Sequence, residues 1–265
     1  MFLKNAGKCR FFLLMVAFVA LTSFMWLQKE KPVFYLIGDS TVKNGQGTGG
    51  GGLWGWGDFI APYFDTAKIT IENDARGGTS SRTFQTQGLW DKVLAKIKPG
   101  DYVIMQFGHN DSSPLDDTAR ARGTIKGIGE ESKEIYNPVL KVQEVVHTYG
   151  WYLRKFINDA KAKGATAIVC SPVPRNDWKE GKVSRSTTDG YAKWAELVAK
   201  AEGVAFINLN DLVATKYEAM GADAVKPFFP GDHTHTNIDG AKLNAQIVAE
   251  QLKVAKAGKL SNYLK

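Results

Sequence analysis

The chain has 265 residues, 44% of them hydrophobic and 23% charged, with 27 Gly and 9 Pro. That balance belongs to a folded globular protein and excludes disordered, collagen-like and polytopic membrane chains. The net charge of +7 is concentrated at the start, where Lys4, Lys8, Arg10, Lys29 and Lys31 face only Glu30, leaving 29 basic and 26 acidic residues in positions 32–265; no nucleic-acid partner is expected from so even a distribution.

In chain order, the first feature is an uncharged, mostly apolar run at 11–27 behind Lys4, Lys8 and Arg10. This is the order of a secretory leader. Ala20 and Ser23 are small enough to precede a cut, but Phe18 and Leu21 stand two positions before them. The 17 residues also reach the lower edge of a membrane span, about 17–25 residues. Residues 1–31 therefore read as a signal peptide or an N-terminal membrane anchor, and 32–265 as a single domain. Cys9 precedes the apolar run and cannot be a lipoprotein cysteine. Cys170, inside an apolar stretch, reads as a buried structural thiol. No intrachain disulfide is expected, which suits a bacterial periplasm or outer surface.

Beyond the leader, short runs rich in β-formers predict strands at 33–37, 69–72, 102–107, 167–170 and 205–209. Helical spacing predicts helices at 57–64, 89–97, 139–163, 188–201 and 239–257. Strands apolar on both faces and separated by helices imply an α/β fold, a three-layer α/β/α sandwich around a central parallel sheet. The stretch 112–137 is too long for a plain connection and is a candidate functional loop. No linker or internal repeat interrupts the pattern.

In such a sheet the ligand lies beyond the carboxyl ends of the strands. Those ends read Gly38-Asp39-Ser40-Thr41, Gly77-Gly78-Thr79, Gly108-His109-Asn110-Asp111 and Ser171-Pro172, and near the end of the chain comes Asp232-His233-Thr234-His235. A serine, backbone-exposing glycines, an asparagine and an Asp/His pair are the parts that acyl transfer needs. Serine is a poor nucleophile until a base takes its proton. His235 is the preferred base, because Asp232 three residues earlier can reach it within one turn; His233 is the rival. The Ser40 N–H, the Gly78 N–H and the Asn110 amide would form the oxyanion hole. His109 and Asp111 read as loop stabilisers. The Asp232, His233, His235 cluster could alternatively hold a metal, but no further ligand stands at a plausible spacing, so no metal is expected.

The blocks GDST (38–41), Gly78 after Asn73-Asp74-Ala75, GHND (108–111) and Asp232-x-x-His235 resemble the SGNH/GDSL hydrolase superfamily. With GWGDF (55–59) and FPGDHTHT (229–236), the chain is similar to the rhamnogalacturonan acetylesterase family of carbohydrate esterases. The resemblance implies a flavodoxin-like fold and removal of O-acetyl groups from a plant cell-wall polysaccharide, most specifically acetylated rhamnogalacturonan, with no cofactor and no protein partner. It also implies that fungal members lack the extended segment at about 112–149. The alternatives are acetylated xylan or another glycan ester, an acyltransferase, and a non-catalytic carbohydrate-binding protein of the same fold. Arg82 and Arg175, after strand ends, could pair with a uronate carboxylate or brace loops. Trp54 and Trp178 could pack on sugar rings or fill structure.

Overall fold

β1 (Val33–Gly38) has no polar face, and a strand of that kind is stable only with cover on both sides. In the computed structural model, which describes residues 30–265, it lies inside a five-stranded sheet. The order is β2 (Thr70–Asn73), β1, β3 (Tyr102–Gln106), β6 (Thr166–Cys170) and β9 (Ala205–Ile207), all parallel. The chain between them also makes two separate antiparallel hairpins, β4 (Ser132–Asn137) with β5 (Val142–His147) and β7 (Trp178–Lys179) with β8 (Lys182–Val183).

The two-residue period of the strands divides the core between two faces. Tyr35, Ile37, Val103 and Met105 pack with Phe84, Trp90, Phe156 and Val198, which come from α1 (Ser81–Thr86), α2 (Leu89–Lys96), α3 (Tyr149–Ala162) and α4 (Tyr191–Ala201). Phe34, Leu36, Tyr102 and Ile104 pack on the other side with Val213 and Tyr217 of α5 (Leu209–Met220) and Val248 and Leu252 of α7 (Ile238–Val254). A short α6 (Ala222–Val225) lies between those two. The expected three layers are present, and Cys170 is buried as a free thiol. Residues Pro32–Lys265 form one compact unit. The signal peptide or membrane anchor expected at 1–31 lies almost wholly outside the described residues; among those described, no helix is long and apolar enough to cross a membrane.

Three element expectations are corrected. Residues 57–64 form two 3-10 turns, Trp56–Phe59 and Ala61–Tyr63, because Gly57 is a weak helix former and Pro62 has no N–H to donate. The helix expected over 139–163 begins only at Tyr149, where the Thr148 side chain accepts from the Trp151 N–H; residues before it form β5, rich in β-branched valines. The strand expected over 205–209 stops at Ile207, and Leu209 opens α5, which the sequence reading lacked along with α1.

The segment between β3 and α3 is pinned from beneath by Arg82. Its side chain is fully buried. Nε and Nη2 grip the two carboxylate oxygens of Glu144 at 2.7 and 2.6 Å, and Nη1 donates to the carbonyls of Leu115 and Gly123 at 2.8 and 2.9 Å. Although burial alone would raise the Glu144 carboxyl, Arg82 and the Asn137 amide hold it below its ordinary range. Arg82 thus braces the loop rather than meeting substrate, and that expectation is corrected. Removing one partner of a buried pair strands the other charge, so Arg82→Ala should cost roughly 3–5 kcal/mol of stability by urea denaturation. A change below about 0.5 kcal/mol, the usual range for a surface substitution, would contradict the clamp.

Candidate active site

The turn that carries Ser40 is built by a buried carboxylate. Asp39, fully buried, accepts from the Thr41 N–H at 2.9 Å and the Thr41 hydroxyl at 2.7 Å through Oδ1, while Oδ2 lies 3.2 Å from His109 Nδ1. His109 in turn donates from Nε2 to the Val173 carbonyl at 3.0 Å. Burial would push the Asp39 carboxyl up; His109 and the two Thr41 donors hold it down. A second chain reaches the same turn, from Trp56 Nε1 to Gln106 Oε1 at 2.8 Å and from Gln106 Nε2 to Thr41 Oγ1 at 2.5 Å. Gly38 permits the approach, since a Cβ there would stand 2.5 Å from the Gln106 carbonyl. The sequence reading placed Asp39 in this turn but gave it no further role, although an Asp in a turn commonly bonds its own backbone two residues on.

This turn presents Ser40 beside β3, at the point where the strand order reverses direction and open α/β sheets place their ligands. Ser40 Oγ lies 2.7 Å from His235 Nε2. His235 Nδ1 lies 2.6 Å from Asp232 Oδ2, and Asp232 Oδ1 accepts from the Thr234 and His235 N–H groups at 2.6 and 2.7 Å. Partial burial would raise the Asp232 carboxyl, but the His235 ring and those two N–H groups pull it down to about 2. The carboxylate accepts from Nδ1–H, which leaves Nε2 with a lone pair facing the serine hydroxyl. His233 points elsewhere, its Nδ1 2.7 Å from Asp177 Oδ1.

A cavity of about 410 Å³ opens over this chain, with Ser40, His235, Gly78 and Asn110 in its lining. Gly78 adopts φ 81°, a left-handed conformation that glycine takes without strain. Among the described residues neither the Ser40 nor the Gly78 N–H has a protein acceptor. Asn110 uses one amide hydrogen on the Thr79 carbonyl at 2.7 Å and keeps the other. Three donors therefore belong to residues that line this cavity.

Four expected substrate contacts are not among the residues that line this cavity. Arg82 is clamped beneath the loop, as described above. Arg175 donates to the His109 carbonyl at 3.3 Å and lines a neighbouring cavity of about 280 Å³. Trp54 packs on Phe59 and bridges by its backbone to Thr236, and Trp178 donates to Asn176 while its ring rests on the core. Both tryptophans help hold the loop that carries His235, because the Trp54 N–H donates to Thr236 O and the Asn176 N–H to His233 O. In their place, Arg76, Arg120 and Arg122 line the cavity. The sequence reading left these out; a basic pair, Arg120 and Arg122, inside a long loop after a strand end was the available signal. No group of three or more His, Cys, Asp or Glu is arranged to hold a metal among the described residues.

The sequence profile of the GDSL-like Lipase/Acylhydrolase family matches residues 36–243, most of the chain and every block around the cavity. The chain belongs to that family. It is 35% identical over 229 residues to the rhamnogalacturonan acetylesterase of Emericella nidulans, an overlap of 86% of this chain and 87% of the relative. It is 28% identical to the rhamnogalacturonan acetylesterase RhgT of Bacillus subtilis, covering 84% and 91%. Among solved structures, the protein YXIM of Bacillus subtilis superposes with a TM-score of 0.65 at 26% identity, covering 84% of this chain and 56% of that one. Family and fold together make this protein a carboxylic ester hydrolase.

Asp111 lies directly behind Asn110. It is buried, and its Oδ1 accepts from the Ser81 N–H and hydroxyl at 3.1 and 2.5 Å. Burial pushes its carboxyl up to about 7. A carboxyl whose pKa is raised on folding binds a proton more tightly in the native state, so its contribution falls as pH rises from about 4 to about 7 and then levels. Asp111→Asn removes that titration. Its stability relative to the wild type should therefore climb across that interval in urea titrations, and a difference independent of pH would contradict the assignment.

Proposed function

We propose that this protein is a serine acetylesterase that removes O-acetyl groups from a plant cell-wall polysaccharide, with acetylated rhamnogalacturonan as its substrate. The observation that carries the chemistry is the continuous chain from Ser40 Oγ through His235 to Asp232, at 2.7 and 2.6 Å, opening on a cavity with free N–H donors. The substrate reading is supported by the two relatives named above and by the order of the sequence blocks. A bacterial leader at 1–31 would export the enzyme to meet such a polymer.

In this reading Ser40 Oγ attacks the acetyl carbonyl while His235 Nε2 takes its proton. Asp232 keeps the ring in the required tautomer and stabilises the imidazolium. Negative charge then grows on the carbonyl oxygen, where the Ser40 N–H, the Gly78 N–H and the free Asn110 hydrogen converge. A donor of this kind is worth roughly 2.7–4 kcal/mol in the transition state. Protonated His235 releases the sugar hydroxyl, and water, activated by the same ring, frees acetate from Ser40. The protein supplies every group this sequence of steps requires.

Acetate release from acetylated rhamnogalacturonan tests the reading. Ser40→Ala should lose turnover and labelling by a fluorophosphonate, and His235→Ala should lose nearly as much, because members of such a unit act together. His233→Ala, which breaks only the Asp177 contact, should keep most activity; a dead His233→Ala beside an active His235→Ala would exchange their roles. Asn110→Ala should lower kcat by roughly 100- to 1000-fold with little change in KM. A raised KM with unaltered kcat would make Asn110 a binding residue instead.

A further inference from the structure

His109 is held between two groups that accept hydrogen bonds. Nδ1 lies 3.2 Å from Asp39 Oδ2 and Nε2 lies 3.0 Å from the Val173 carbonyl. A neutral imidazole carries one N–H and one lone pair, so in that form one of these contacts would set two lone pairs against each other. The His109 side chain is 6% exposed and that of Asp39 wholly buried, and contacts this short leave no room for a water between the atoms. Both bonds are made only if each ring nitrogen carries a proton, or if Asp39 carries one on Oδ2.

The neighbouring bonds choose between these two forms. Trp56 Nε1 can only donate, so Gln106 presents Oε1 to it and gives an amide hydrogen to Thr41 Oγ1. Thr41 Oγ1 therefore passes its own hydrogen to Asp39 Oδ1, which also takes the Thr41 N–H. A buried chain of donors running one way ends on Asp39, and donors of this kind favour the ionised carboxylate. An imidazole is also the stronger base of the pair. The shared proton belongs to the ring.

Other charges near the pair are mixed in sign. Asp111 stands two residues along the same loop, and Arg122 is within electrostatic reach of Asp39 and Asp111. Around the cavity of about 280 Å³ that His109 lines stand Arg175, Asp177, Arg185 and, on α4, Tyr191. Arg175 donates to the His109 carbonyl, Asp177 is paired with His233, and Arg185 with Asp211 and Glu218. Among the described residues, Asp39 is the acid in direct contact with the ring.

We propose that His109 works as a buried imidazolium whose charge holds the Asp39 carboxylate, and with it the Ser40 turn, in place, so that the esterase needs His109 protonated while His235 is neutral. This rests on the Ser40–His235 esterase reading and adds a positioning residue to it. With two histidines required in opposite states, kcat/KM should rise with pH as His235 becomes neutral and fall again as His109 loses its proton.

Two-bond proton–nitrogen NMR spectra of protein labelled with ¹⁵N at its four histidines test this directly, the His109 signal being assigned by its loss in His109→Asn. At the pH of highest activity His109 should show two protonated ring nitrogens and His235 one. The His109 titration should also follow the alkaline fall in hydrolysis of p-nitrophenyl acetate. Burial pushes the Asp111 carboxyl up to about 7, so the His109 signal rather than the rate alone makes the assignment. A Gln amide replaces the Nε2 donor and an Asn amide the Nδ1 donor. His109→Gln, which keeps the Val173 bond and loses the Asp39 bond, should drop kcat/KM by roughly 100-fold, the cost of a nucleophile displaced by about 1 Å. His109→Asn should recover most of that loss and lack the alkaline fall. A neutral His109 ring at the pH of highest activity, or equal rates and an undiminished alkaline fall in the two variants, would overturn the proposal and leave the esterase reading standing. Hydrolysis by Ser40→Ala at the wild-type rate would instead overturn the esterase reading and the positioning role with it.

Discussion

The active site depends on one buried charge. Asp39 is removed from water and would be costly there as a carboxylate, yet it is paid for by Thr41 on one oxygen and His109 on the other. These bonds join the ends of three neighbouring strands. The turn after β1 carries Ser40, the loop after β3 carries Asn110, and the Val173 carbonyl beyond β6 receives the far nitrogen of His109. The groups that would attack the ester and bind the oxyanion are therefore positioned by a single carboxylate between them. His235 arrives separately, on a loop braced by the backbone of Trp54 and Asn176.

How much of this is legible in the sequence follows from which forces decide each part. β1, β3 and β6 read directly, because strands buried on both faces are apolar throughout. The blocks around the site read directly too, since Ser40, Gly78, Asn110 and His235 each follow a strand end or open a late loop. The β4–β5 hairpin is opaque for a definite reason. Val142 and Val145 are exposed, so their apolar character marks no core, and their spacing extends the helical pattern of α3 backwards by several residues. Arg82 misleads for the opposite reason. Its position after a strand end points to the cleft, but Glu144, 62 residues away in sequence, draws it inward. Pairing across such a distance is a property of the fold, and no local pattern announces it.

The segment at 112–149 is anchored beneath and lines the cavity above. Arg82 and Glu144 neutralise each other beneath it, so the loop is anchored without exporting charge to the cleft. Arg120 and Arg122, on its upper side, line the cavity beside Ser40 together with Arg76.

The central claim, that Asp39 positions Ser40, is tested most directly by the rate at which a fluorophosphonate labels Ser40 in Asp39→Ala under conditions where circular dichroism shows the fold intact. Loss of the carboxylate frees the Thr41 donors and His109 together, and a displacement of about 1 Å at the nucleophile is enough to cost roughly 100-fold. Labelling slowed by that factor is the expected result. Labelling at the wild-type rate in the folded variant would contradict the account.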